Sequence, residues 1–101
     1  MSILRAELPA ASVQNATVAE ENLTVELSDG RVISVPLAWY PRLVHATPEE
    51  RRNWRLIGNG EGIHWSDLDE DVSVENIILG RPSGESQRSL ERWIRERPGT
   101  G

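Results

Sequence analysis

Apolar and polar residues alternate over residues 23–27 and again over residues 31–37, which is the pattern of half-buried β-strands. An Asp-Gly pair lies between the two runs and marks a β-hairpin. A loop formed by residues 28–30 places Val25 opposite Ile33 and keeps one face of the hairpin apolar, whereas a two-residue loop mixes polar and apolar residues there. We therefore predict a hairpin with a three-residue loop whose glycine is left-handed and forms a bulge.

A second alternating stretch follows the glycine-rich residues 58–62 and places Ile63 and Trp65 on one face. We predict that this strand is joined by a second hairpin loop to a preceding strand over residues 54–57. Residues 13–20 have strand character with weaker alternation, and they predict an edge strand.

Short helices are predicted between the two hairpins. The apolar positions of residues 39–46 fit a first short helix. Thr47, Pro48 and Glu50 predict the start of another, because threonine caps a helix, proline suits its first position and the glutamate completes a capping box.

Two further helices are predicted in the last third of the chain. Ser73 is a natural cap for a helix over residues 74–79, and Gly80 ends that helix. The last helix is predicted over about residues 85–97, with a narrow apolar stripe that includes Trp93. This stripe can dock on its own domain or on a second chain, and the pattern leaves both alternatives open.

These elements predict an α+β fold: a small antiparallel sheet built from two hairpins, short helices on one face and a C-terminal helix. We divide the chain into a loosely ordered lead-in (1–12), an α+β core domain (13–80), and a linker with the C-terminal helix (81–101). The predicted core residues are Val25, Leu27, Ile33, Val35, Leu43, Leu56, Ile63, Trp65, Leu68, Ile77 and Ile78.

The composition narrows the classes of function. The chain has no cysteine, which excludes disulfides and thiolate metal sites. Its first residues are too charged for a signal peptide or a membrane span, so we expect a cytoplasmic location. The net charge is −5, and this argues against direct binding of nucleic acid, because phosphate neutralisation dominates such binding.

Three aspartates at alternate positions are the first candidates for chemistry. Asp67, Asp69 and Asp71 match the first, third and fifth ligands of an EF-hand loop, but the sixth and twelfth positions are the apolar Val72 and Ile78. A carboxylate pair for acid catalysis also needs a pocket that excludes water, and no pattern indicates one. We therefore predict no enzyme activity and no catalytic, cofactor-binding or metal-binding residue, with the acids on the exposed side of a turn.

Two stretches have the composition of a protein-binding surface. Tryptophan and arginine are mixed over residues 39–55, which is typical either of an interface or of core tryptophan with arginines around it. The acidic residues 67–71 suit a basic partner. The candidate partner-binding residues are Trp39, Arg42, Arg51, Arg55, Asp67, Asp69, Glu70, Asp71 and Trp93.

Several stretches resemble the domain of unknown function 2442 family of small bacterial proteins. They are residues 28–31, residues 35–43, residues 47–51, residues 54–58 and, as the most specific part, residues 60–73 with the sequence GEGIHWSDLDEDVS. The resemblance covers roughly residues 13–80, and residues 80–93 look like an extension found in a subset of members.

The resemblance implies a small antiparallel sheet with short helices on one side. Some relatives have a helix-turn-helix domain after this module, and others are encoded beside a second small protein in what look like toxin–antitoxin pairs. The second helix of a helix-turn-helix is missing here, and no catalytic residues are implied.

We therefore predict a non-enzymatic protein-binding module, the antitoxin-like member of such a pair, with another small protein of basic charge as its partner. Homodimer formation is a further expectation. The alternatives are a DNA-associated transcriptional regulator and a small-molecule-binding accessory protein.

Overall fold

A computed structural model describes residues 11–97, which form two small antiparallel sheets with short helices. The first sheet contains β1 (Val13–Val18), β2 (Asn22–Leu27) and β3 (Val32–Pro36), in that spatial order. The α+β class is thus confirmed, with each predicted hairpin extended by a third strand into its own sheet. Residues 1–10 of the predicted lead-in lie outside the described residues.

The first hairpin has the predicted register. Val25 lies opposite Ile33 and Leu23 lies opposite Val35. Gly30 has a φ of 94° and donates its backbone N–H to the carbonyl oxygen of Leu27 at 3.1 Å, as the left-handed position of a three-residue loop requires. The apolar face of the hairpin is buried because this register puts alternate apolar residues together.

The second sheet contains β4 (Trp54–Ile57), β5 (Gly62–Trp65) and β6 (Glu70–Ser73), again in chain order. Ile63 and Trp65 are fully buried on one face of β5, as predicted. Strand β6 is missing from the sequence prediction, which treated residues 67–71 as one exposed turn.

Helices fill the connections. A 3₁₀ turn, Leu37–Trp39, leads into α1 (Pro41–Val44), so the predicted helix over 39–46 is shorter than expected. Helix α2 (Pro48–Arg52) begins at Thr47 with both hydrogen bonds of the predicted capping box, Glu50 N–H to Thr47 Oγ1 at 3.1 Å and Thr47 N–H to Glu50 Oε1 at 2.9 Å.

The two later helices also begin at side-chain caps. Helix α3 (Val74–Leu79) is capped by Ser73 and ends at Gly80, which has a φ of 72°. Helix α4 (Gln87–Glu96) begins two residues later than predicted, because Ser86 accepts a hydrogen bond from the backbone N–H of Ser89 and so caps it. None of the helices within residues 11–97 is long and apolar enough to cross a membrane.

One apolar core joins the two sheets, and it contains most of the predicted core residues. Ile33 is half-buried and packs against this core. Leu56 and Ile78 are 38% and 41% exposed, so their placement in the core is wrong. Leu56 lies on an edge strand of the second sheet, and Ile78 faces away from the buried side of α3 that Ile77 occupies.

Candidate protein-binding surfaces

Arg42, in the first turn of α1, is the centre of a half-buried polar cluster. Its guanidinium donates to both carboxylate oxygens of Glu85, with N···O distances of 2.6, 2.9 and 3.0 Å. The same group donates to the carbonyl oxygens of Leu68 at 2.9 Å and Asp69 at 3.2 Å. Arg42 therefore ties the segment before α4 to the turn between β5 and β6.

Trp93 on α4 lies between two arginines of the same chain. The guanidinium carbons of Arg42 and Arg97 are 5.0 and 4.6 Å from its ring centroid, within the range of cation–π contacts. Arg97 also pairs with Glu50 of α2 at 2.6 Å, and Leu90 is buried. The apolar stripe of the last helix thus docks on its own domain, which answers the question that the sequence left open.

The ion pair between Arg42 and Glu85 is strong because both side chains are nearly removed from water, with 16% and 9% of their areas exposed. The Arg42 hydrogen bonds lower the pKa of Glu85 below its usual value although burial opposes this. The same hydrogen bonds to Glu85 raise the pKa of Arg42. Arg42 and Trp93, two predicted partner-binding residues, therefore already form structural contacts within the chain.

Glu70 contradicts the expectation of an exposed acidic surface over residues 67–71. It is only 9% exposed, and burial raises its pKa to about 7. The charge of Arg42 opposes this shift, and the carboxylates of Glu85, Asp71 and Asp69 add to it. Among the described residues no hydrogen-bond donor reaches the Glu70 carboxylate, so burial is not offset as it is at Glu85.

Alternation along β6 explains the burial of Glu70. The strand pairs Val72 with Ile63 and Asp71 with His64, so residues 70 and 72 share the inward face. The sequence has the same two-residue period, but a strand was not predicted there because residues 69–71 are all acidic. Buried Tyr40 lies within the electrostatic reach of Glu70, and burial together with that charge raises the pKa of its hydroxyl.

The other three acids remain at the surface, and we call Asp67, Asp69 and Asp71 the acidic turn. Asp67 accepts a hydrogen bond from the side-chain amide of Asn53 at 2.8 Å. Asp71 forms a hydrogen bond with His64, and its side chain is 66% exposed. Asp69 has a φ of 51° in the turn. The acidic turn is thus held in place at its base by Arg42, while its carboxylates face water.

The remaining predicted residues lie at separate places. Trp39 is half-buried against the core. Arg51 donates to the carbonyl oxygens of Leu43 and Val44, each at 3.0 Å, and so joins α2 to α1. Arg55 is exposed on β4. The structure therefore does not gather the predicted residues into one site.

A groove that the sequence did not reveal lies between the two sheets, and we call it the β1–β4 groove. It has a volume of about 620 Å³ and lies between the second half of β1 and the start of β4. Its lining includes the half-buried Val18 and Trp54, together with Arg51, Arg52 and Glu20.

Both strands beside the groove are sheet edges. Within the described part of the chain, residues 14–18 and 54–57 form backbone hydrogen bonds only in their own ladders. An edge strand presents unpaired N–H and C=O groups, which another extended segment can bind. The groove is not visible in the sequence because it depends on two edges, 13–18 and 54–57, that are far apart in the chain.

Across residues 11–97, no group of three or more His, Cys, Asp or Glu side chains could hold a metal ion. This includes the acidic turn, in which Asp67 forms a hydrogen bond with Asn53 and Asp71 forms one with His64. The surfaces that remain as candidates are the acidic turn and the β1–β4 groove.

Comparison with known proteins gives a family match and two similar folds. The model of the family described as "Protein of unknown function (DUF2442)" matches residues 13–83. No curated protein matches the chain.

Two solved structures are similar to this one. A crystal structure of a protein of unknown function from Rhodospirillum rubrum has a TM-score of 0.65 and 20% identity, and the alignment covers 81% of this chain and 99% of that chain. A solution NMR structure of an uncharacterised protein from Chromobacterium violaceum has a TM-score of 0.62 and 22% identity, with 99% of this chain and 86% of that chain covered. At these identities the likeness shows the fold alone.

Proposed function

The chain belongs to the DUF2442 family of proteins of unknown function, and we propose that it is a non-enzymatic protein-binding module. The observation that supports this most is the β1–β4 groove, which lies between two open sheet edges and has a tryptophan and two arginines in its lining. Tryptophan and arginine are the residues most enriched at the energetic centres of protein interfaces.

The groove suits an extended segment of a partner. Such a segment can pair its main chain with β1, while its side chains contact Val18 and Trp54. Residues 16–18 of the lining belong to β1 and span roughly 10 Å, at about 3.3 Å per residue, and residues 19 and 20 begin the turn into β2. Main-chain pairing supplies affinity in this mode, and the side-chain contacts supply specificity.

We further propose that the chain is the antitoxin-like member of a two-gene pair in the bacterial cytoplasm, with a small basic protein as its partner. The family resemblance and the net charge of −5 support this proposal. The acidic turn is close to the groove, because Asn53, which follows α2, donates to Asp67. Its exposed carboxylates would speed the encounter with a basic partner more than they would add affinity.

Affinity capture from lysate of the source cells tests the proposal. Tagged wild-type chain is compared, after nuclease treatment, with Ala19→Trp, which fills the groove, and with Ala38→Trp, a matched change at an exposed alanine outside it. We expect one small protein to co-purify in stoichiometric amount with the wild type and Ala38→Trp, and to be lost with Ala19→Trp. A capture without any protein partner would refute the binding module. Equal capture by both variants would show that the interface lies outside the groove.

A second candidate function, a DNA-associated regulator, is favoured by one specific observation. Arg88, Arg92 and Arg95 are exposed on α4 at a spacing of four and three residues, which places them on one face of the helix. An electrophoretic mobility shift assay at low salt separates the two functions. The binding module predicts no retardation of duplex DNA, whereas the regulator predicts retardation that is lost when the three arginines are replaced by glutamine.

A further inference from the structure

We infer that the segment bound in the β1–β4 groove is an extended, carboxylate-bearing stretch of the partner protein that pairs along the edge of β1. The inference rests on the proposed function and names the chemistry of the segment that the partner presents. Two observations support it: the arginines of the groove, which have no carboxylate partner among the described residues, and the open edge of β1.

The arginines of the groove differ from Arg31, Arg42 and Arg97, each of which pairs with a carboxylate of the same chain. Among residues 11–97, the side chain of Arg51 donates to the carbonyl oxygens of Leu43 and Val44 and to no carboxylate. The side chain of Arg52 is exposed and, within the same residues, forms neither a hydrogen bond nor an ion pair. Glu20 is the one acid among the described residues of the lining, so two arginines against one glutamate leave a local charge of +1 on a chain whose net charge is −5.

This local charge and the shape of the groove favour a carboxylate ligand. An arginine guanidinium binds a carboxylate through two parallel hydrogen bonds, and such charge-assisted bonds are about twice as strong as neutral ones. Side chains of an extended segment alternate in direction. An acidic residue of such a segment can therefore bind the guanidinium of Arg52, and another, two positions along, can face Nη1 of Arg51, because Nε and Nη2 of Arg51 already donate to carbonyl oxygens. The intervening residues contact Val18 and Trp54.

Two other occupants fit less well. Nucleic acid needs several cationic contacts to phosphates, and among the described residues the groove offers two arginines on an acidic chain. A second copy of the chain would offer one of its four sheet edges. Strands β1, β3 and β4 contain no acid, and β6 offers one exposed carboxylate, Asp71, because Glu70 is buried. A protein partner with an acidic extended segment fits both the charge and the edge.

Synthetic peptides test the inference on the full chain. The probes are three fluorescein-labelled peptides in which valine alternates with glutamate, glutamine or lysine, and binding is measured by fluorescence anisotropy. We expect the glutamate peptide to bind at least about tenfold more tightly than the lysine peptide. Arg52→Glu should lower the affinity for the glutamate peptide by about tenfold or more. Arg81→Glu, a matched change at an exposed arginine that follows α3, should leave it unchanged.

Main-chain pairing is tested with two further glutamate peptides that are N-methylated at odd or at even positions. An edge strand uses the amides of one phase, so strand pairing predicts a loss of binding in at least one of the two peptides. Equal affinity of both N-methylated peptides and the parent peptide would overturn pairing along β1. Equal affinity for the glutamate and lysine peptides would overturn the acidic chemistry.

The outcomes also separate this inference from the proposed function. Suppose that a partner is captured by Ala38→Trp and lost with Ala19→Trp, but the chain binds the glutamate and lysine peptides equally. This result would refute the inference and leave the proposed binding module in place. Preference for single-stranded DNA over the glutamate peptide would overturn it in favour of nucleic acid. A concentration-dependent dimer in sedimentation that Ala19→Trp abolishes would overturn it in favour of a second copy.

Discussion

Two regions of this molecule combine tryptophan with arginine, and they use the combination differently. Trp93 lies between Arg42 and Arg97, whose guanidinium groups are paired with Glu85 and Glu50. Trp54 lies in the β1–β4 groove, where the arginines have no carboxylate partner among the described residues. In the first region, carboxylates of the same chain neutralise the arginines. In the second region, the arginines can still bind a carboxylate of a ligand.

An arginine–tryptophan composition therefore does not by itself distinguish a structural contact from a binding surface. What distinguishes them is whether a carboxylate of the same chain pairs with the arginine. Arg42 and Glu85 are 43 positions apart in the sequence, and Glu50 and Arg97 are 47 positions apart. Mutations that remove a partner in each region should therefore affect stability in the first region and binding in the second.

The largest effect is expected for Arg42→Ala. This change leaves the Glu85 carboxylate buried without its cation and frees the carbonyl oxygens of Leu68 and Asp69. Because an uncompensated buried charge is costly, we expect a loss of about 3 kcal/mol in the free energy of unfolding at pH 7. Urea unfolding followed by tryptophan fluorescence measures it. Arg55→Ala, at an exposed position on β4, is the control, and equal losses in both variants would contradict the structural role of Arg42.

A pH-dependent effect of intermediate size is expected at Glu70. The pKa of Glu70 is about 7 in the folded chain and near the ordinary glutamate value of 4.5 in the unfolded chain, so the folded chain binds the extra proton between these pH values. The contribution of Glu70 to stability is therefore fully present below about pH 4.5 and is lost as the pH rises through about 7, by up to about 3 kcal/mol.

Glu70→Gln checks this sign. The amide cannot ionise, so the variant should be more stable than the wild type at pH 8, and the difference should shrink towards pH 5. Unfolding in urea at a series of pH values measures the difference. A difference that is constant with pH would show that Glu70 does not titrate in this range.

A smaller loss is expected for Arg97→Ala. This side chain covers one face of Trp93 and pairs with Glu50, and its removal should destabilise the fold by about 1–2 kcal/mol. Thermal unfolding by circular dichroism measures the change. If α4 contributes nothing to stability, this variant and Arg95→Ala, an exposed position on the same helix, will unfold at the same temperature.

The smallest effect on stability is expected in the groove. Arg52→Gln removes an exposed charge that has no ion-pair partner among the described residues, so the free energy of unfolding should change by less than about 0.5 kcal/mol. Binding of the glutamate peptide should nevertheless weaken. If Arg52→Gln lost as much stability as Arg42→Ala, the groove arginine would have a structural role like that of Arg42, and the proposed difference between the two regions would be wrong.

Local patterns allowed much of the fold to be predicted from the sequence. The register that pairs Val25 with Ile33 follows from alternation, and the capping box at Thr47 follows from three neighbouring residues. Glu70 was misplaced because a run of acids hid the two-residue period of β6. Such errors arise where a charged residue lies on a buried face.

The candidate site was beyond prediction for a different reason. Trp54 and β1 meet only because the two sheets pack against each other, and no short-range pattern reports that contact. The same reason hid the roles of Arg42 and Trp93, whose partners are distant in the chain. Sequence patterns located the elements of this fold, while packing alone located the groove.

Hydrogen–deuterium exchange of the chain, alone and in complex with its captured partner, shows whether the partner pairs with β1. Amides on the open edge of β1 exchange through contact with water, and pairing with an added strand should slow them. We expect new protection in residues 16–18 of β1 and in the groove residues that follow. Protection confined to the acidic turn or to α4, with exchange in β1 unchanged, would contradict it.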